Sequence, residues 1–359
     1  MEPYWTEHFG NAASRSHRWG VEARRATEHA RGQLALRLGC SPREVIFTSG
    51  ATEADNLALL GVMRANRDRG DHVITVATEH KAVLDPVAQL AREGFRTTVL
   101  PVGSDGLVDP EAVRRAIEPG TVLLSVMWAN NEVGVLQPLV DLVGIAHEAG
   151  VLVHTDAAQA LATEAIDLRA LDVDLLSCSA HKAYGPKGVG ALVVRRRRPA
   201  TAIEPLQYGG GHERGLRSGT LPVPLLVGFG AAVALYEPAE AERIRGLRDR
   251  MRAGLGDEVR VNGSMEHRLP GNLNLTVPGV EAKALLVACP ELAMSSGSAC
   301  TSASLEPSHV LKAMGLHEQS LQTLRLGLGR TTTEAQVDYA VERLREKIAV
   351  VRSLTSGVL

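Results

Sequence analysis

The feature that most limits the possible folds of this chain is an alternation of short apolar runs with longer amphipathic stretches. Each run is rich in Val, Ile or Leu, and helix-like segments separate the runs. This pattern is typical of a parallel sheet with helices on both faces, because its strands are buried on both sides. The runs occupy residues 45–47, 72–77, 122–127, 151–153, 175–178 and 191–194. We therefore predict an α/β fold whose ligands bind beyond the carboxyl ends of the strands.

The chain has 359 residues, too many for one ordinary hydrophobic core, and its length fits a large and a small domain. The alternation changes between residues 222 and 238, and residues 239–255 then carry one apolar stripe at helical spacing. We predict a large domain over residues 10–238 and a smaller α/β domain over residues 239–359, together with residues 1–9. In the smaller domain we expect strands at 272–277, 292–295 and 323–327, and helices at 282–288, 307–314 and 333–352.

Composition and cysteine content argue against several classes of function. The chain has 39 basic and 41 acidic residues and a net charge of -2, so nothing predicts a nucleic acid or a membrane surface as partner. Its four cysteines have no Cys-x-x-Cys spacing, which argues against a disulfide framework and against a zinc or other metal site. No apolar segment has the length of a membrane span, and the first residues lack a signal-peptide pattern. We expect a cytoplasmic protein that acts on a small molecule.

One cysteine, Cys300, stands among Gly, Ser, Ala and Thr in the stretch from Ser295 to Ser304. Such small residues favour loops and backbone mobility, so this thiol has the setting of a mobile nucleophile. Taken alone, the stretch leaves open a second role, because most single cysteines are buried fillers. The other motifs of the chain have to decide between the two.

Polar motifs follow several of the predicted strands, at the edge where ligands are expected. Ala51 and Thr52 lie in a glycine-containing turn that opens a helix, which suits a phosphate but is also an ordinary helix start. His80 follows the second run, where it can stack on a flat cofactor, move protons or serve a structural role. Asn131, in an Asn-Asn pair after the third run, can hold a ligand or make a turn.

An acid and a lysine at this same edge give the strongest signal. Asp156 ends a buried strand, where an unpaired carboxylate is costly and needs a cation. Lys182 follows the next strand along the chain. An Asp that faces a pyridinium nitrogen and a Lys that forms a Schiff base are the two groups that pyridoxal phosphate requires. A structural ion pair is the alternative that these two residues leave open.

The motifs together resemble those of the cysteine desulfurases, in the class V branch of the fold-type I pyridoxal-phosphate enzymes. The resemblance runs in order from about Phe9 to Arg330, and its long serine-rich cysteine loop is similar to that of the housekeeping group. It implies a large domain with a mostly parallel seven-stranded sheet and a smaller α/β C-terminal domain. The matching motifs are Ser49-Gly-Ala-Thr-Glu53, Thr78-Glu-His-Lys81, Asn130-Asn-Glu-Val-Gly134, Asp156-Ala-Ala-Gln159, Ser179-Ala-His-Lys182, the glycine-rich segment 209–220 and Ser295-Ser-Gly-Ser-Ala-Cys300.

Carried over position by position, the resemblance implies a role for each matching residue. Lys182 would hold the cofactor as a Schiff base and move the Cα proton, while Asp156 would pair with the pyridine nitrogen and His80 would stack on the ring. Gln159 and Asn131 would contact the cofactor's phenolic oxygen or the substrate, and Arg325 would grip the substrate carboxylate. The phosphate would be held by Ala51, Thr52, Ser179, His181 and, from the other subunit of a homodimer, Thr220.

The activity implied by the resemblance is removal of sulfur from L-cysteine. The products would be L-alanine and a persulfide on Cys300, which an acceptor protein in iron–sulfur assembly, tRNA thiolation or another sulfur pathway would take up. Relatives usually begin with an Asp-Xaa-Ala-Ala-Thr-Thr segment, and this sequence starts beyond it. The missing segment leaves open a weakened sulfur-relay or scaffold subunit. A selenocysteine lyase, whose reaction can proceed without the cysteine nucleophile, is the other alternative.

Overall fold

The computed structural model describes residues 1–296 and 308–356, which form two compact units. The first contains residues 1–100, 110–128 and 138–236, and the second contains residues 101–109, 129–137 and those from 237 onward. Residues 1–9, which we expected in the smaller domain, belong to the first unit, because helix Pro3–Thr6 packs against helix Val223–Ala234. Residues 101–109 and 129–137, expected in the large domain, belong to the second unit, because their backbones hydrogen-bond to residues 264 and 267.

A seven-stranded sheet forms the centre of the first unit. Its order is β1-β7-β6-β5-β4-β2-β3, and only β7 runs antiparallel to its neighbours among these strands. The mostly parallel seven-stranded sheet is thereby confirmed. The strands are β1 (Val45–Thr48), β2 (His72–Val76), β3 (Arg96–Leu100), β4 (Thr121–Ser125), β5 (Leu152–Asp156), β6 (Leu175–Ser179) and β7 (Gly190–Val194).

The apolar pattern predicts six of these strands and misses β3. This strand lies at the sheet edge, and Leu100 is its only buried residue. The other four residues of β3 are at least partly exposed, so the strand has no continuous apolar run for the pattern to detect.

Helices flank the sheet, and their apolar stripes face its core. In α5, for example, Val83, Val87 and Leu90 recur at helical spacing and are buried. A π-helical turn, Leu57–Gly61, joins α3 to α4. The helices are α1 (Pro3–Thr6), α2 (Arg18–Leu38), α3 (Ala51–Asn56), α4 (Val62–Ala65), α5 (Lys81–Arg92), α6 (Pro110–Ala116), α7 (Leu139–Glu148) and α8 (Val223–Ala234).

The second unit has its own antiparallel sheet, with the order β10-β11-β9-β8. The predicted strand at 292–295 is wrong for its first three residues, because only Ser295 and Ser296 pair with β11. The strands are β8 (Arg260–Val261), β9 (Asn272–Thr276), β10 (Ser295–Ser296) and β11 (Thr323–Gly327). The helices are α9 (Pro238–Leu255), α10 (Ala282–Ala288), α11 (His309–Ala313) and α12 (Glu334–Ser356).

None of the described helices is by itself long and apolar enough to cross a bilayer. One bent pair, Val223–Ala234 with Pro238–Glu258, meets the length and composition criteria only when its two segments are taken together.

Candidate active site

Three of the predicted site residues meet at the carboxyl ends of the first unit's strands. Asp156 ends β5 and is buried, and its Oδ1 accepts a hydrogen bond of 2.8 Å from the backbone N–H of Ala158. Burial raises the pKa of Asp156, and the backbone N–H of Ala158 and the nearby side chains of His80 and Lys182 partly offset this rise. These two side chains therefore lie within electrostatic reach of the carboxylate. The structure brings Asp156, His80 and Lys182 into one cluster.

The orientation of His80 follows from its place at the start of α5. Its Nδ1 accepts a hydrogen bond of 3.1 Å from the backbone N–H of Ala82, so the ring caps the helix. A neutral imidazole that accepts at Nδ1 carries its proton on Nε2. His80 therefore presents an N–H group on the side of the ring opposite its helix.

The residues predicted to hold a phosphate also come together. Helix α3 begins at Ala51, and its N-cap, Gly50, has no side chain to occupy the free backbone N–H groups. A Cβ placed on Gly50 would lie 4.0 Å from the Oγ of Ser179, and this Oγ is 2.7 Å from Nδ1 of His181. Backbone donors, a hydroxyl and an imidazole thus surround one small space, as a phosphate requires.

The glycine-rich segment 209–220 is tied to the sheet by a buried ion pair. Glu213, on this segment, makes two hydrogen bonds of 2.7 Å with Arg31 of α2, and its Oε2 accepts a third from the backbone N–H of Phe47 in β1. Glu213 and Arg214 both have positive φ angles, of 48° and 60°. Residues other than glycine rarely adopt positive φ angles, so the backbone is strained here. The ion pair stabilises the segment in this strained conformation.

Replacing Glu213 with Ala is expected to lower the free energy of unfolding by about 3–5 kcal/mol, because the Arg31 guanidinium would stay buried without its carboxylate. Urea unfolding followed by circular dichroism measures this loss. The matched control is Asp338→Ala, which removes the partner of Arg250 in an exposed pair and should leave the unfolding midpoint almost unchanged. Equal effects of the two substitutions would contradict the importance of the buried pair.

In the second unit, the two residues predicted to contact substrate lie against each other. Nη1 of Arg325 donates a hydrogen bond of 2.8 Å to the carbonyl oxygen of Asn131, and its Nε donates one of 3.2 Å to the hydroxyl of Ser295. The next residue, Glu132, is buried, and its carboxylate accepts a hydrogen bond from the hydroxyl of Ser308. Ser295 and Ser308 stand on either side of residues 297–307, so Arg325 and Glu132 contact both flanks of the segment that carries Cys300.

Glu132 should make the stability of this unit depend on pH. Burial raises its pKa from 4.5 to about 7, so the folded chain holds a proton there that the unfolded chain has released. Stability from this group is complete below about pH 4.5 and is lost as the pH rises through 7, by about 1.4 kcal/mol for each pH unit. Glu132→Gln should remove this slope in urea unfolding measured between pH 5 and 7. The control Glu266→Gln, at an exposed position, should keep the slope. If the free energy of unfolding changed with pH equally in wild type and Glu132→Gln, the raised pKa of Glu132 would be refuted.

The family model described as aminotransferase class-V matches residues 1–340. The cysteine desulfurase IscS of Anaeromyxobacter dehalogenans is 51% identical over 362 residues, which cover 99% of this chain and 89% of the relative. The chain belongs to the class-V aminotransferase family, in its cysteine desulfurase branch. Among solved structures, a NifS-like protein superposes with a TM-score of 0.89 at 36% identity, covering 98% of this chain and 94% of that one.

Another solved structure, of SspA in complex with cysteine, superposes with a TM-score of 0.83 at 36% identity and covers 93% of this chain and 94% of that one. Class-V enzymes of this kind use pyridoxal phosphate. The residues present fit that cofactor: Asp156 is a buried acid suited to a pyridinium, Lys182 supplies an amine, and the space around Gly50, Ser179 and His181 suits the phosphate. The resemblance, fold class and cofactor inferred from the sequence are thereby confirmed.

The roles assigned to individual residues stay predictions. Gln159 is half-buried three residues after Asp156, and Thr220 is exposed at the end of the glycine-rich segment. Cys300 lies outside the described residues.

The close approach of Gly190 to the phosphate turn gives a test of the predicted cofactor site. A Cβ on Gly190 would lie 2.6 Å from the carbonyl carbon of Gly50 and 2.5 Å from the carbonyl oxygen of Cys178. Gly190→Ala should therefore displace the turn and weaken pyridoxal phosphate binding roughly tenfold or more, since overpacking costs about 1–3 kcal/mol. Titration of the cofactor-free protein, followed by absorbance, measures this affinity. The control is Gly144→Ala on α7, where a Cβ meets open space. Equal affinity of the two variants for pyridoxal phosphate would show that the turn at Gly50 does not help to bind the cofactor.

Asp55, His154, Glu132 and Glu213 are among the buried acids and bases for which the sequence predicts no role. Two of them carry a signal in the sequence, because Asp55 lies one helical turn after Ala51 and Thr52, and His154 lies two residues before Asp156 on the same strand. Spacing of this kind puts residues on one face of a helix or strand. The partners of Glu132 and Glu213, in contrast, are more than 170 residues away along the chain.

Proposed function

We propose that this chain transfers the sulfur atom of L-cysteine to the thiol of Cys300. The Cβ–S bond of the substrate breaks, an S–S bond forms at Cys300, and the thiol proton is balanced by a proton gained at the substrate carbon. The products are L-alanine and a Cys300 persulfide, and no outside oxidant or reductant is needed. The grouping of Asp156, His80 and Lys182 at one sheet edge carries this proposal, and the names of the relatives support the choice of substrate.

Pyridoxal phosphate, when bound, withdraws electrons from the substrate's α-carbon. Lys182 would hold the cofactor through its amine, and the same amine would take the Cα proton. Asp156 would stabilise the positive charge of the pyridine nitrogen, and His80 would offer its Nε2 proton. In the second unit, Arg325 binds the substrate carboxylate, and its bond to the Asn131 carbonyl fixes the direction of the guanidinium.

Incubation with sulfur-labelled L-cysteine tests this function. We expect one equivalent of alanine and one labelled sulfur atom for each chain in the first turnover, with the label on the peptide that contains Cys300. Mass spectrometry under non-reducing conditions locates the label, and amino-acid analysis measures the alanine. Release of alanine without label on Cys300, or label on Cys40, would overturn the assignment of the acceptor thiol.

We also propose that the chain works as a cytoplasmic homodimer that passes sulfur to an acceptor protein. Thr220 is exposed at the end of a segment that Glu213 holds firmly, which suits a contact with the phosphate bound in the other subunit. Exposed aromatic residues Trp5, Phe9 and Tyr208 in the same unit are available for burial against a second copy. Light scattering tests the dimer, and Thr220→Val should weaken cofactor binding without changing the mass. A monomeric holoenzyme would refute this part of the proposal.

A further inference from the structure

One face of the central sheet carries a buried polar cluster next to Asp156. In the register of the parallel strands, Ser125 of β4 is opposite His154 of β5, and Asp156 of β5 is opposite Ser177 of β6. His154 and Asp156 are two residues apart on one strand, so all four side chains project from the same face. Their strand positions alone place them there, and all four are buried.

His154 is held in this cluster by a hydroxyl on each side. Its Nδ1 is 2.8 Å from the Oγ of Ser125, and its Nε2 is 2.9 Å from the Oγ of Ser177. Complete burial lowers the pKa of His154 to about 3, so the imidazole is neutral at physiological pH. A neutral ring brings no positive charge that could compensate a carboxylate beside it.

Asp55 of α3 completes the cluster. Its side chain is fully buried, and Oδ1 lies 3.5 Å from Nε2 of His154. Among the described residues, no donor meets either carboxyl oxygen of Asp55 with good hydrogen-bond geometry. Burial raises the pKa of Asp55 well above its ordinary value, and the charges of Asp156 and Glu79 add to this rise, which the nearby hydroxyl of Ser177 opposes only in part. Two neighbouring buried carboxyl groups cannot both ionise without a cation for each.

The two carboxyl groups differ in what compensates them. Asp156 has the backbone N–H of Ala158 as a donor, and the Lys182 ammonium and the His80 side chain interact with it favourably. Asp55 has only the hydroxyl of Ser177 to favour its ionised form, and the imidazole at its side is neutral. The negative charge therefore belongs on Asp156, and the proton belongs on Asp55.

We propose that Asp55 is a positioning residue, which stays protonated and supports Asp156 as the ionised carboxyl group of this cluster. As a neutral acid, Asp55 adds no second negative charge and still offers an O–H dipole to the cluster. Helix α3 would then serve the cofactor twice, through backbone N–H groups at Ala51 and Thr52 and through Asp55 one turn later. The inference rests on the proposed function only for the pairing of Asp156 with the pyridine nitrogen.

Infrared difference spectroscopy tests the protonation of Asp55 directly. We expect the cofactor-free wild type at neutral pH to show a protonated-carboxyl C=O band that Asp55→Asn lacks. Asp85→Asn, which changes an exposed aspartate of α5, should keep the band. The measurement needs no desulfurase activity, so it stands even if the proposed reaction is wrong. An unchanged band in Asp55→Asn would overturn the proposal.

The pH titration of the bound cofactor's absorbance tests the positioning role. Asp55→Asn keeps a neutral polar group and should leave the titration midpoint unchanged, whereas Asp55→Leu should move it by roughly one pH unit. If Asp55 were ionised, Asn and Leu would move the midpoint equally. If its role were only structural, Leu would lower the thermal midpoint and leave the titration midpoint in place, and either result would refute the proposal. Should the Leu variant not fold, the infrared band and the Asn titration still decide.

Discussion

Replacing Lys182 with Ala is expected to abolish turnover of L-cysteine and to remove the absorbance of the covalently bound cofactor. In the proposed mechanism this amine is both the covalent attachment point and the base for the Cα proton, and proton transfer alone contributes roughly 10²–10⁴-fold to a rate. Lys182 follows β6 on the 3₁₀ turn Ala180–Lys182, which brings its charge within reach of Asp156. Alanine formation and the absorbance spectrum of the purified variant measure the two losses.

The control for this experiment is Lys283→Ala, which removes an exposed lysine of α10 and should change neither readout. Lys182→Ala should keep the far-ultraviolet circular dichroism of the wild type, because the lysine side chain is exposed and fills no core position. A folded Lys182→Ala protein that still turned over L-cysteine at the wild-type rate would show that another amine carries the chemistry.

Much of this site was predictable because it lies where strands end. Asp156, Lys182 and His80 each follow a run whose apolar composition predicts a buried strand, and parallel strands bring their carboxyl ends to one edge. The partner of Glu213 could not be predicted in this way. Arg31 is 182 residues away, on the stretch that becomes α2, and neither residue type nor periodicity links two such distant positions.

The domain boundaries show a similar limit. Residues 129–137 continue directly from the large sheet in sequence, so the pattern assigns them to the large domain. In the structure they belong to the second unit, where the carbonyl oxygen of Glu132 accepts hydrogen bonds from the side chains of Asn272 and Asn274. Asn131 and Arg325 consequently share one unit, although they stand on opposite sides of the predicted boundary.

Replacing Cys300 with Ser is expected to stop persulfide formation and to reduce alanine production from L-cysteine by roughly 10²-fold or more, while the cofactor's absorbance stays intact. A sulfur nucleophile has to be a thiolate, and burial works against this at the other three cysteines. It raises the pKa of Cys40 to about 12 and also raises the pKa values of Cys178 and Cys289. Cys300, among small polar residues, is the remaining candidate.

Cys40→Ser is the matched control, because it removes a half-buried thiol that is protonated at neutral pH. It should leave persulfide formation unchanged. Selenocysteine, assayed beside L-cysteine, separates the two enzyme functions that the sequence leaves open, since selenium elimination can proceed without the enzyme thiol. If the chain is a cysteine desulfurase, the Cys300→Ser variant should lose turnover of L-cysteine. If the variant released sulfur from L-cysteine at the wild-type rate, Cys300 would not be the acceptor, and the transfer chemistry would have to be assigned elsewhere in the chain.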